Sequence, residues 1–172
     1  WGETDVEDAA SGAQALIDNG LADPKKLIIR GGSAGGYTVL NSLIHHPGLF
    51  KAGICLYGVS NLFTLVQDTH KFEAHYTDSM VGSLPAAAEK FHDWSPVFHA
   101  DQIQDPLAIF QGSVDKVVPP SQSEEIVDAL RSRGIPLIYK VYEGEGHGFR
   151  KQETLADYYF EVERFLQQFV LF

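Results

Sequence analysis

Apolar residues recur along this chain at helical and at strand spacing, and the two kinds of segment alternate. Val6, Ala9, Ala10, Ala13, Leu16 and Ile17 fall on one helical stripe. Thr4 and Glu7 stand at capping-box spacing ahead of it, and Gly20 is a natural C-terminal stop. Leu27-Ile28-Ile29 is a short apolar run ending at Gly31-Gly32, the pattern of a buried parallel strand. A second helix carries Val39, Leu40, Leu43 and Ile44 on one face and must stop before Pro47. Ala52 to Leu56 reads as the next strand. Gly58 to Asp105 is less regular, with a short helix through Ala86, Ala87, Ala88 and Phe91. Leu107 to Phe110 reads as a third strand after Pro106. Ser121 and Glu124 are expected to cap a helix carrying Ile126, Val127 and Leu130, closed by Gly134. Leu137 to Tyr142 is a fourth strand. Leu155, Tyr158, Tyr159, Val162, Phe165, Leu166 and Phe169 form a final amphipathic stripe.

Such alternation predicts an α/β domain, a mostly parallel sheet covered by helices on both faces. No internal repeat, low-complexity stretch or linker interrupts it. The chain opens Trp1-Gly2-Glu3, with no Met and no lead-in strand, so we expect 1–172 to be the C-terminal part of a longer domain.

Composition narrows the function classes. The 172 residues are 44% hydrophobic, enough for an ordinary core. A net charge of −10 argues against nucleic-acid binding and against a polybasic membrane anchor. No run of about 18 apolar residues exists, so no transmembrane helix is expected. Cys55 is the single cysteine, which excludes an internal disulfide or a multi-cysteine metal site. It leans toward a reducing compartment; the compartment is otherwise open.

The chemistry concentrates in Gly31-Gly32-Ser33-Ala34-Gly35, a G-x-S-x-G pattern between a predicted strand and a predicted helix. That context puts a serine on a sharp turn with its hydroxyl exposed above the sheet. Glycine at 31 and 35 is expected to relieve the crowding there. The Ala34 N–H, at the helix start, would face developing negative charge. A phosphate-binding loop fits worse, because no Lys opens the helix. A serine hydroxyl needs a base, and the base needs an orienting carboxylate. Asp115 follows the third strand and His147 the fourth, in the chain order Ser, Asp, His. Both lie just past the C-terminal ends of strands, where parallel sheets build their sites. Ser33, Asp115 and His147 are therefore the expected nucleophile, orienting acid and general base. His45 and His46 read as helix-end residues that complement the dipole. His70, His75, His92 and His99 show no helical His-x-x-x-His pair, so no metal is expected. Glu143 and Glu145 read as solvated charges, and Cys55 as a small core residue.

Taken together, these segments resemble the C-terminal catalytic domain of the prolyl oligopeptidase family of serine peptidases, in particular its dipeptidyl-aminopeptidase and acylaminoacyl-peptidase-like members. The motifs are Trp1-Gly2 leading into Asp5-Val6-Glu7-Asp8, Gly31-Gly32-Ser33-Ala34-Gly35-Gly36-Tyr37, Asp68-Thr69-His70-Lys71-Phe72-Glu73, Phe110-Gln111-Gly112-Ser113-Val114-Asp115-Lys116-Val117-Val118-Pro119-Pro120, and Glu143-Gly144-Glu145-Gly146-His147-Gly148-Phe149. The resemblance implies an α/β-hydrolase fold and cleavage of short peptides through an acyl-enzyme, with no cofactor. It assigns the same three residues to the triad. It also implies a substrate pocket at Tyr37, Val59, Leu62, Leu65 and Val118.

Members of that family carry an N-terminal β-propeller and earlier sheet strands, and neither is found in this sequence. A second oxyanion donor from that part is missing too. Loss of one such donor costs about 10²–10³ in rate, so the chain by itself is expected to be weak or inactive. A carboxylesterase of the same fold, and a non-catalytic fragment, remain the alternatives. The strand from Leu27 to Arg30 would then be an unprotected sheet edge, expected to self-associate or to hold the missing N-terminal part.

Overall fold

The computed structural model describes residues 1–68 and 76–172. Helix α1 (Thr4–Asp18) leads into strand β1 (Ile28–Gly32), helix α2 (Ala34–His45) and strand β2 (Ala52–Leu56). Short helices α3 (Leu62–Asp68), α4 (Tyr76–Met80) and α5 (Ala88–Asp93) and a 3₁₀ segment (Pro96–Gln102) follow. Strand β3 (Leu107–Gly112), helix α6 (Pro120–Ser132), strand β4 (Leu137–Tyr142) and helix α7 (Gln152–Leu166) complete it, with a last π-helical turn at Gln167–Leu171. The four strands lie side by side in chain order, all parallel. Among the described residues no helix is long and apolar enough to cross a membrane.

Strand alternation sorts the core into two layers. Cys55, Leu107 and Ile109 point to the face covered by Val39, Leu40 and Leu43 of α2 and Ile126, Val127 and Leu130 of α6. Ile54, Leu56, Ala108 and Phe110 point to the opposite face, under Tyr158 and Phe165 of α7. β2 and β3 are buried along their whole length, as expected for central strands apolar on both faces. Among the described residues β1 is only half-buried and pairs with β2 alone, and β4 closes the other side. On β4, Lys140 lies between Asp157 and Glu161 of α7, a charged device of the kind that blunts a sheet edge.

Helix ends depart from the sequence reading. α1 has Glu3 at its N-cap, and no Thr4–Glu7 capping box forms. Asp5 organises this end instead. Its carboxylate accepts the Gly2 N–H and the Thr38 hydroxyl, both at 2.7 Å, and so ties α1 to α2. Glu7 is drawn away to His46, 3.2 Å distant. α6 begins at Pro120 with Pro119 at the cap, and Ser121 caps nothing. Proline's fixed φ opens the helix one residue before the expected hydroxyl cap. The apolar stripes are also narrower than their periodicity suggests: Leu16, Leu155 and Tyr159 are exposed.

Candidate active site

The three strand ends after β1, β3 and β4 meet at one place. Ser33 joins β1 to α2 with φ 57° and ψ −121°, a backbone conformation that costs an L-residue energy. Both sides hold it there. Its N–H donates to the Leu56 carbonyl at 3.0 Å, and its carbonyl accepts the Tyr37 N–H at 3.1 Å. Strand and helix approach so closely that a Cβ at Gly31 would stand 2.3 Å from the Gly35 carbonyl oxygen. Gly35 itself is uncrowded, contrary to expectation. The second position that needs glycine is Gly36, where a Cβ would come within 2.6 Å of Gly58 Cα.

His147 bridges the other two groups. Its Nδ1 is 2.8 Å from Asp115 Oδ2, and its Nε2 is 2.9 Å from Ser33 Oγ. An ionised carboxylate can only accept, so the proton sits on Nδ1 and the Nε2 lone pair faces the serine hydroxyl. Asp115 is buried and fully engaged. Oδ1 accepts the Val117 and Val118 N–H groups at 2.9 and 3.0 Å, and Gln111 Nε2 donates to Oδ2 at 3.4 Å. Gln111 is oriented in turn by Val118 O and by the Ser123 hydroxyl. Ala34 is the first residue of α2, so its N–H has no partner within the helix.

Glu145 is not the solvated charge its sequence context suggests, because it is only 3% exposed. Its carboxylate accepts the Arg150 and Lys151 N–H groups, with contacts of 2.9–3.2 Å. Its carbonyl accepts the Val114 N–H at 3.0 Å. One side chain thus fastens the His147 loop to the start of α7, and its backbone fastens the loop to the Asp115 turn. Burial alone would raise this carboxyl's pKa. The Lys151 and Arg150 N–H groups, the Thr154 side chain and the Lys151 charge outweigh burial and hold it below the usual range. Glu143 does stay exposed, and its carbonyl accepts Lys151 Nζ.

The expected pocket residues fall together, but as packing. Tyr37, Val59, Leu62 and Val118 are buried in one cluster with Val81 and Phe91, and Leu65 is half-buried against it. The Tyr37 hydroxyl is committed to the Trp94 carbonyl at 2.7 Å. Burial keeps Cys55 in the core and pushes its thiol up to about 12. Burial, with the neighbouring His99 and His46, lowers His45, so the cationic form that would complement the helix end is disfavoured. Among the described residues one group could hold a metal, His92, Asp93 and His99, whose donor atoms lie within 4.8 Å of one another. His70, His75 and most of the Asp68–Glu73 motif lie outside the described residues.

The chain is similar to known peptidases. The chain is 31% identical to dipeptidyl peptidase family member 6 of Caenorhabditis elegans, over 98% of its own length and 24% of that protein. It is 31% identical to dipeptidyl aminopeptidase BIII of Pseudoxanthomonas mexicana, over 98% of this chain and 25% of that one. A solved puromycin-hydrolyzing peptidase of Mycobacterium tuberculosis superposes with a TM-score of 0.96 at 42% identity, covering 99% of this chain and 26% of that one. The chain thus spans about a quarter of the length of the relatives it matches, and the fold they share is the α/β-hydrolase fold. The family model for the prolyl oligopeptidase family matches residues 1–171, and the chain belongs to that family.

Proposed function

We propose that this chain is the C-terminal part of a serine peptidase catalytic domain that cleaves short peptides through an acyl-enzyme. The observation that carries the reading is His147, hydrogen-bonded at once to Ser33 Oγ and to Asp115. Ser33 Oγ attacks the scissile carbonyl carbon while its proton passes to His147 Nε2. The new imidazolium is stabilised by Asp115. The carbonyl π electrons move onto oxygen, and the Ala34 N–H donates to that oxyanion. Collapse breaks the C–N bond, and His147 returns the proton to the leaving amine. Water then attacks the Ser33 ester by the same route, His147 taking its proton and returning it to Ser33 Oγ as the Oγ–C bond breaks and the acid leaves.

Active-site labelling of the intact protein tests this. A fluorophosphonate probe should modify Ser33 alone, and Ser33→Ala should abolish labelling. Labelling that persists in the variant would refute the assignment. Matched amide and ester substrates then separate peptidase from esterase: an enzyme that turns over the ester but not the amide is not the one proposed.

A further inference from the structure

Among the described residues, two that are not glycine have positive φ, Ser33 at 57° and Tyr57 at 37°. The first carries the hydroxyl that bonds His147. The second brings its ring against the same imidazole, with centroids 4.7 Å apart and planes at 58°. A left-handed backbone costs an L-residue of ordinary bulk, and glycine would occupy it freely. The chain places a tyrosine there instead, one residue past the end of β2. Strain of this kind persists where the surroundings impose it and points toward function.

The surroundings hold both the backbone and the ring of Tyr57. Its N–H donates to the Phe110 carbonyl at 2.8 Å, which anchors the backbone on the sheet. Phe149, two residues after His147, meets the ring edge-on at 5.5 Å and 87°. Under it lies Gly32, where a Cβ would stand 3.0 Å from Tyr57 Cε2. The middle residue of Gly31-Gly32-Ser33 is thus small because this ring occupies the space beside it. Burial, chiefly, holds the phenol above its ordinary pKa, so the hydroxyl is neutral across any useful assay range.

We propose that Tyr57 is a positioning residue for the peptidase chemistry: its ring is a wall that keeps the His147 imidazole in the line between Asp115 and Ser33. Hydrogen bonds at the two ring nitrogens set the imidazole's ends, but they leave it free to tilt about the axis joining them. A bulky aromatic ring held in contact with the imidazole limits that tilt. The role belongs to the ring and not to its hydroxyl. This inference rests on the reading of His147 as general base.

The test uses the intact protein and the kinetics of fluorophosphonate labelling, resolved into the maximal rate kinact and the half-saturating concentration KI. Two variants remove the ring yet suit a left-handed backbone, Tyr57→Gly and Tyr57→Asn. Both should keep the wild-type melting temperature to within a few degrees and leave KI unchanged. Both should lower kinact by about 10–100-fold, the scale of a small misplacement of a catalytic group. Tyr57→Phe should restore kinact to within threefold of wild type. Gly32→Ala, which crowds the ring, should slow wild type but add nothing in the Tyr57→Gly background. A ring-less, folded variant that labels at the wild-type rate would overturn the inference, as would a Tyr57→Phe protein as slow as Tyr57→Gly. His147→Ala separates the two levels. If it labels as fast as wild type, the base assignment fails and the inference falls with it. If it does not label while Tyr57→Gly labels normally, only the inference fails.

Discussion

Replacing Asp115 by Asn removes one charge and little else, and the hydrogen bonds around the side chain dictate the outcome. Oδ1 of Asp115 accepts two backbone N–H groups, from Val117 and Val118. An amide NH₂ cannot take that place, because donors would face donors. The carbonyl oxygen of the introduced amide must therefore sit at the Oδ1 position, and its NH₂ must point along the Oδ2 direction at His147 Nδ1, 2.8 Å away. Nδ1 then has to accept, the proton moves to Nε2, and an N–H faces the Ser33 hydroxyl instead of a lone pair. The base is present but in the wrong tautomer. Such a change costs about 10⁴ in rate in serine hydrolases of this kind, or about 5.5 kcal/mol of barrier. The cost to folding should be far smaller, because both backbone N–H groups keep an acceptor. Two bonds to a charged oxygen become two to a neutral one, and Gln111 Nε2 loses its long contact to Oδ2 but keeps the Val118 carbonyl, a loss of about 1–3 kcal/mol in all. The assay is the rate of fluorophosphonate labelling, and of turnover of a chromogenic peptide amide, at one fixed pH for both proteins. Urea unfolding of the same preparation checks the fold. A folded Asp115→Asn protein within tenfold of the wild-type rate would show that Asp115 does not set the tautomer of His147.

Three further outcomes follow from the packing and the charges. Glu145→Ala strips the acceptor from two backbone N–H groups, and should cost about 2–3 kcal/mol in urea unfolding at neutral pH. Because the folded carboxyl lies below its ordinary value, its contribution is complete above the unfolded carboxylate range and is lost as pH falls through the folded pKa. The gap between wild type and variant should therefore narrow below about pH 4.3, and a constant gap down to about pH 2 would exclude the ionised side chain as its source. Gly36→Ala should destabilise by about 1–3 kcal/mol through backbone contact with Gly58, whereas Gly35→Ala, which meets nothing within 4 Å, should be neutral or stabilising in the same assay; the reverse order would refute the account of the elbow. The 172-residue chain, whose half-buried β1 pairs on one side only among the described residues, should sediment as dimer or larger through the Leu27–Arg30 edge, and a stable monomer at high concentration would show that this edge is protected.

Much of the molecule could be read along the chain, for a local reason. Whether a segment is strand or helix shows in its own periodicity, so β2 and β4 coincide with the apolar runs Ala52–Leu56 and Leu137–Tyr142. Parallel strands put their C-terminal ends on one side, which is why Ser33, Asp115 and His147, each just past a strand end, could be expected to lie together before any distance was known. Caps follow the spacing rule less well, because hydroxyl and carboxylate groups compete with features that spacing does not weigh. Pro120 opens α6 ahead of Ser121, and Asp5 answers Thr38 on another helix. What only the tertiary structure decided are the contacts between residues far apart in the chain. Glu145 looks like any charge in a polar loop until the N-terminus of α7 folds over it. Tyr57 looks like the end of a strand until a much later loop brings His147 against its ring. Periodicity records which side of an element is buried. Which group is met on that side depends on sheet register and loop path, and those are set by the packing of the whole domain.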